Sequence, residues 1–473
     1  MANFPLGGQG KDYDSKKSRG IAVNLIPEGN KDGSYRSVRR TEGLTLFATL
    51  TDGPVRSDPL VNAGYAYIVS GASLFRVNSS GAVENLGAVN GSGRAKLAAN
   101  AVPGDSQILI LNGSGDGFIY DNANGLVPIT DPDFFPSSSV TVLNERFWLV
   151  RDDTNEFFGS DISNGTSYNP LTSASAEESP DNMVSCIAKK SAFWAIGSET
   201  TEYWQTFSDV ILPLRQVKGA TKEWGILAKD SLAEVNDFFA FLADDRTIRM
   251  IQGTQLVKIS DLEFELKVKG NGTATYPGFS KIDDAIGFFV DGPIHSTYYI
   301  TFPTEGYTWG YDLNTGMSHI RESNGLGLWR VNSAVKFGDK IICGDSIFGK
   351  LWILDINNKT EDGEILRAKL VTPTISYEKD ATIPLIEIDM EVAQTDDPTA
   401  DPKMIVYFTK DGGNTRTNMG HISLGKFGEH RKRVPLRRFG RLVRNKDFGL
   451  ELEITDAVGV QFYGAYIYPR MSM

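Results

Sequence analysis

Few residues in this chain stand in patterns that chemistry needs. Gly344-Asp345-Ser346-Ile347-Phe348-Gly349-Lys350-Leu351 comes close to a phosphate-binding loop. Leu351, however, stands where a Ser or Thr would hold magnesium, and strand-like Trp352-Ile353-Leu354 follows in place of a helix N-terminus. Asn112-Gly113-Ser114-Gly115-Asp116-Gly117 opens like a calcium loop, but Ala123 at its twelfth position supplies no bidentate carboxylate. Both are read as hairpin turns. Thr409-Lys410-Asp411-Gly412-Gly413-Asn414-Thr415-Arg416 has the form of an Asp-box hairpin, with Arg416 where an aromatic residue usually stands. It occurs once and marks a tight turn. The four histidines, His295, His319, His421 and His430, lack metal-ligand spacing. No Gly-x-Ser-x-Gly elbow appears, and Cys186 and Cys343 lie inside apolar runs, as buried free thiols would. The expectation is a protein with no catalytic, cofactor-binding or metal residues, and so not an enzyme.

The sharpest local signal is electrostatic. Residues 431–446 carry Arg431, Lys432, Arg433, Arg437, Arg438, Arg441, Arg444 and Lys446 and no acid. The formal net charge is −11, so these eight basic side chains leave −19 on the rest of the chain. Clustered guanidinium groups suit carboxylate or phosphate recognition. Three readings follow: a solvated sheet face paired with the protein's own acids, a docking surface for an acidic partner, or a contact with the DNA backbone. Phe439 is the one interleaved aromatic residue, so base stacking is not expected. An acidic body with one basic belt does not describe a general nucleic-acid binder.

The elements that must position this belt are strands. Seven short apolar runs recur between residues 60 and 355, among them Ala66-Tyr67-Ile68-Val69, Phe147-Trp148-Leu149-Val150 and Phe238-Phe239-Ala240-Phe241-Leu242. Each follows a polar or glycine turn, such as Asn62-Ala63-Gly64 or Gly104-Asp105. A recurrence of roughly 40–50 residues is the period of a four-stranded propeller blade. The prediction is a mainly β chain: a β-propeller of about seven blades over 41–363, with six or eight compatible with the spacing. Leu44–Leu50 is expected to close the ring by joining the last blade near Leu351–Leu354. Ser260–Lys269 is expected as a short helix with a Ser260…Glu263 capping box. Residues 167–182, 211–224 and 270–279 read as loops. After Asp355 the alternation lengthens, as in Leu385-Ile386-Glu387-Ile388-Asp389-Met390, and 364–473 is expected as a β-sandwich or small barrel. Residues 1–40, basic at Lys16-Lys17-Ser18-Arg19 and near Arg36–Arg40, read as an extended arm.

No stretch approaches a membrane span. The first residues lack the regions of a signal peptide, so synthesis in the cytoplasm and residence there or in a particle are expected. Six Asn-x-Ser/Thr triplets occur, and most contain Asn-Gly, which is better explained as turn chemistry.

The chain also resembles a known family. Arg437–Leu450 and Gly464-Ala465-Tyr466-Ile467 resemble the tail of the packaged DNA stabilisation proteins, the tail hub or nozzle proteins of short-tailed phages (podoviruses). Gly10-Lys11-Asp12, Asn24-Leu25-Ile26-Pro27-Glu28, Arg40-Thr41-Glu42-Gly43-Leu44 and Gly197-Ser198-Glu199-Thr200-Thr201-Glu202-Tyr203-Trp204 look like earlier segments of the same proteins. The resemblance implies a structural virion protein with a propeller body. Six copies would form a homo-hexameric ring below the portal–adaptor proteins, close the tail channel, and stabilise packaged DNA until genome ejection. It further implies a tail needle or plug and tailspikes as partners, and passage of double-stranded DNA without sequence-specific binding. The eight basic residues are the candidate partner-docking set. The acidic loop Thr395–Asp401 departs from the family, which leaves its partner contacts open. The alternative is a glycan-binding propeller for host attachment, with Trp204, Trp224, Trp309 and Trp329 as candidate platforms. A sialidase-like hydrolase is a third, weaker reading.

Overall fold

The computed structural model describes residues 2–4, 20–29, 36–101, 106–209, 211–273, 276–394, 399–426 and 428–471. Gly10–Asp12, Lys16–Arg19, the Gly104-Asp105 turn and residues 395–398 of the acidic loop lie outside them.

Seven four-stranded antiparallel blades form among the described residues, spanning 60–88, 96–128, 137–175, 183–216, 233–258, 286–320 and 331–355. The second strands carry the apolar runs. In the third blade Phe147, Trp148, Leu149 and Val150 are all fully buried, because a blade has a neighbour against each face. Asn144-Glu145 and Lys190-Ser191 both take positive φ at two successive residues, the hairpin geometry that matches strand twist.

The last blade borrows its outer strand from the beginning of the propeller. Gly43–Thr49 runs antiparallel to Lys350–Asp355, with Leu351 opposite Ala48, Ile353 opposite Thr45 and Leu354 opposite Leu44. This is the ring closure expected from the sequence.

The C-terminal region is a two-sheet sandwich around a core that includes Ile386, Ile388, Met404, Leu436, Leu452 and Phe462. One sheet runs Leu25–Gly29, Arg36–Arg40, Gly459–Ile467, Ala381–Gln394 and Arg431–Leu442. The other runs Ile21–Val23, Ala368–Val371, Gly449–Ile454, Lys403–Thr409 and Thr417–Ser423, and it joins blade six where Val23 pairs in parallel with Ile320.

Four local expectations need revision, the first being the loop read at 211–224, which contains the outer strand Leu214–Gln216 of blade four. The described part of the segment read as an extended arm is built into the sandwich as four short strands, Ala2–Phe4, Ile21–Val23, Leu25–Gly29 and Arg36–Arg40. None is long enough to show a period, and their partners lie at the far end of the chain, as in Val38 opposite Phe462. Of the loop read at 167–182, residues up to Ser175 belong to the twelve-residue outer strand Asn164–Ser175 of blade three. An outermost strand has a solvent edge, so its composition is polar. The helix is present as Leu262–Lys269, but its cap is Asp261, whose carboxylate accepts the Phe264 N–H at 2.9 Å, and not Ser260.

Buried polar groups lock propeller to sandwich. The Arg40 guanidinium donates to the carbonyls of Asp456, Val458 and Leu366, and burial pulls its pKa down to about 10. Asn24, in the left-handed region at φ 52°, donates to Glu322 O and Arg367 O, both at 2.8 Å. Asn24 joins the N-terminal strands to the linkers on either side of the last blade, and Arg40 ties its strand to the linker after that blade and to the 456–458 turn of the sandwich.

Candidate functional site

The basic stretch folds as Arg431–Leu442, the edge strand of its sheet, followed by a turn carrying Arg444 and Lys446. Val434, Leu436, Phe439 and Leu442 point into the core, and all eight basic residues are exposed. The apolar alternation fixes the strand's register and thereby commits the cations to solvent.

The neighbouring strand, Ala381–Gln394, divides the belt into two halves. Its acids Glu387, Asp389 and Glu391 lie opposite Pro435, Arg433 and Arg431. Arg431 makes a bidentate pair with Asp389, at 3.0 and 2.7 Å, and holds that carboxyl below the usual range. Its guanidinium also lies 4.8 Å from the Tyr463 ring centroid, and that of Arg433 lies 5.1 Å from Tyr466. Lys432 pairs with Glu429 at 3.1 Å. This half is the solvated, self-paired face.

The second half faces Ala381, Thr382, Ile383 and Leu385, which offer no charge. Among the described residues Asp380 alone answers it: Arg441 donates to one of its oxygens, and the Arg444 backbone N–H to the other at 2.8 Å. Arg437, Arg438 and Lys446, and the side chain of Arg444, make no ion pair among the described residues. A bulge presents them. Arg438 and Gly440 both adopt positive φ, at 72° and 73°, and the pairing register shifts between Ile383 and Leu385. Pro435, the bulge and the basic side chains are also the devices by which edge strands resist pairing with another strand. A partner would therefore meet this edge through side chains.

Elsewhere the candidate motifs are turns. Asn112 Oδ1 accepts the N–H groups of Ser114 and Asp116, and Asp411 binds Thr409 and Thr415 within its own hairpin. Gly344–Leu351 turns between Lys340–Asp345 and Lys350–Asp355. No cluster of potential metal ligands occurs among the described residues. Cys186 and Cys343 are buried free thiols, raised by burial to about 12. His319 is fully buried, accepts or donates at Tyr299 Oη (2.8 Å), and is pulled down to about 3 by burial. Trp204, Trp309 and Trp329 are buried, and Trp224 is half-buried under Arg249 at 3.8 Å, so none is an exposed platform for sugar.

The profile of the phage stabilisation family described as "Bacteriophage P22 Gp10, beta-propeller" matches residues 4–359. The chain belongs to that family. The matched region takes in the whole propeller and the sandwich strands between Ile21 and Arg40, and stops before the basic belt. Solved structures to which the chain is similar include virginiamycin B lyase from Staphylococcus aureus, at 9% identity and a TM-score of 0.45, covering 66% of this chain and 99% of that one. The Pan2 WD40 domain of Neurospora crassa follows at 9% and 0.39, covering 66% and 95%. No curated protein matches.

The axis of this family propeller is occupied. The first strands of adjacent blades line it and touch one another around the ring, Val331–Phe337 against Leu60–Asn62 at the closure included. Lys96 on blade two forms an ion pair with Asp230 at the entry to blade five, at 3.2 Å. Three blades apart is the greatest separation in a ring of seven, so this pair bridges the axis.

Proposed function

We propose that this protein is a structural component of the phage virion, a tail hub or nozzle subunit. A ring of six copies docks below the portal–adaptor complex, closes the tail channel and retains packaged DNA. Membership of the phage stabilisation family carries this reading, and the unpaired cations at the bulge are its docking element. The role is mechanical: Arg437, Arg438, Arg444 and Lys446 meet carboxylates on a neighbouring subunit, and the acidic remainder repels passing DNA. Because the axis of each propeller is bridged, the channel for a duplex lies between copies.

Native mass spectrometry with a portal–adaptor complex from the same phage tests the reading. Six copies added per portal ring are expected. Arg437→Glu with Arg438→Glu should abolish that addition, while Lys432→Gln, in the self-paired half, should leave it intact. A chain that stays monomeric and ignores the complex would overturn the hub. Six-fold addition by the doubly reversed variant would remove the docking role alone.

A further inference from the structure

The open half of the basic belt has a counterpart on the far side of the molecule. Residues 131–209, which hold blade three and most of blade four, carry 13 acids and four bases, −9 of the −19 outside the belt. Many of these acids gather at one end of the two blades. Asp152 and Asp153 occupy the turn between the second and third strands of blade three, and Glu199 the same turn of blade four. Glu177, Glu178 and Asp181 lie on the connection between the blades. Hydrogen bonds draw these segments together: Asn182 Nδ2 donates to Asp153 O at 3.2 Å, and Asp181 Oδ2 accepts the Glu199 N–H at 2.8 Å. Asp153, Glu177, Glu178 and Glu199 are exposed. Few cations answer them. Lys189 and Lys190 pair with Glu234 and Asp237 of blade five, and Arg151 with Glu156, while the six acids of the turns and connection make no ion pair among the described residues. Burial, and then the charges of Glu178 and Asp181, hold the neighbouring Glu202 carboxyl above its usual range. That repulsion is what an incoming cation would relieve.

We propose that Arg437, Arg438, Arg444 and Lys446 of one copy dock on the acidic end of blades three and four of the next copy. This contact rests on the hub reading and names the surface that its cations meet. Charge complementarity selects the partner, since unpaired guanidinium groups face unpaired carboxylates. Position selects the arrangement. The sandwich joins the ring at blade six, through Val23 and Ile320, and blade three is three steps away, the greatest separation among seven blades. The two surfaces therefore lie at opposite poles of the chain, and a contact between them relates copies head to tail, the type that closes rings. Both surfaces meet a partner through side chains, a bulged edge strand on one and turns on the other.

Charge reversal on each surface, read by native mass spectrometry of the full chain with the portal–adaptor complex, tests this. Glu177→Lys with Glu199→Lys should abolish six-copy addition, as Arg437→Glu with Arg438→Glu does. Both proteins should melt as the parent does, because all four sites are exposed. Neither variant should assemble alone. An equimolar mixture of the two should restore rings of six with three copies of each, because alternating copies bring opposite charges together at every contact. Six-fold addition by the acid-reversed variant alone, or a mixture that stays unassembled while the parent adds six copies, overturns the acceptor surface and leaves the hub standing. A parent that adds no copies overturns the hub and this contact together.

Discussion

His295 stands between two carboxylates from distant parts of the chain. Its Nδ1 lies 3.1 Å from Asp312 of blade six, and its Nε2 lies 3.4 Å from Glu28 of the sandwich. Glu28 also accepts from Arg39 at 2.8 Å and from Gln461 at 2.7 Å, so the imidazole completes a network across the propeller–sandwich junction. Burial alone would lower the His295 pKa, but the hydrogen bonds to Asp312 and Glu28 outweigh it and raise it to about 9, against the nearby Arg39 charge. Folding therefore favours the protonated form. Its contribution is complete below the ordinary value of about 6.5 and disappears as pH rises through 9. Urea unfolding at pH 6 and pH 10 should show the parent losing about 1–2 kcal/mol more than His295→Gln, after allowance for solvent screening. Parallel pH profiles for the two proteins would show that the imidazole does not hold the junction. No spacing rule marks this residue, because its partners are 17 and 267 positions away.

At the scale of elements, the closing strand carries the ring. Leu44 is fully buried in one cluster with Trp352 of the last blade, Phe288 of blade six and Trp329, and Gly43 leaves room for Thr360 O, which a Cβ would meet at 2.2 Å. Leu44→Ala should lower unfolding stability by about 2–5 kcal/mol, the range for a large-to-small change in a packed core. A loss below 1 kcal/mol in urea titration would mean that the ring holds without that seam. The closure was legible in the sequence because both partners, Leu44–Leu50 and Leu351–Leu354, are largely apolar strand-like runs, of which Leu44, Ala48, Leu50, Leu351 and Trp352 are buried. The blades were legible for the same reason. The N-terminal strands were not: Ile21–Val23 and Leu25–Gly29 are three and five residues long, and their burial comes from partners the sequence places elsewhere. The basic belt was visible as composition. Its division into paired and open halves depends on the register with Glu387, Asp389 and Glu391, and on a bulge at Arg438.

For the whole molecule, the decisive feature is the bridged axis. A propeller of seven blades has an opening at its centre, and a tail protein could in principle thread DNA through it. Here the Lys96–Asp230 pair spans that opening at 3.2 Å, and both side chains are largely buried. B-form DNA, whose major groove alone is about 12 Å wide, cannot share the space. The pair thus closes the axis to a duplex, and in the proposed ring a channel wide enough for one would be enclosed by several copies. Replacing both charges together, as Lys96→Met with Asp230→Leu, removes the pair without stranding either charge in a half-dry site. Particles assembled with this variant should protect packaged DNA from nuclease and release it on triggering as the parent does, because DNA never enters the propeller. Premature release from the variant, with ring assembly intact by native mass spectrometry, would place the duplex on the propeller axis and leave no reason to seek the channel between copies.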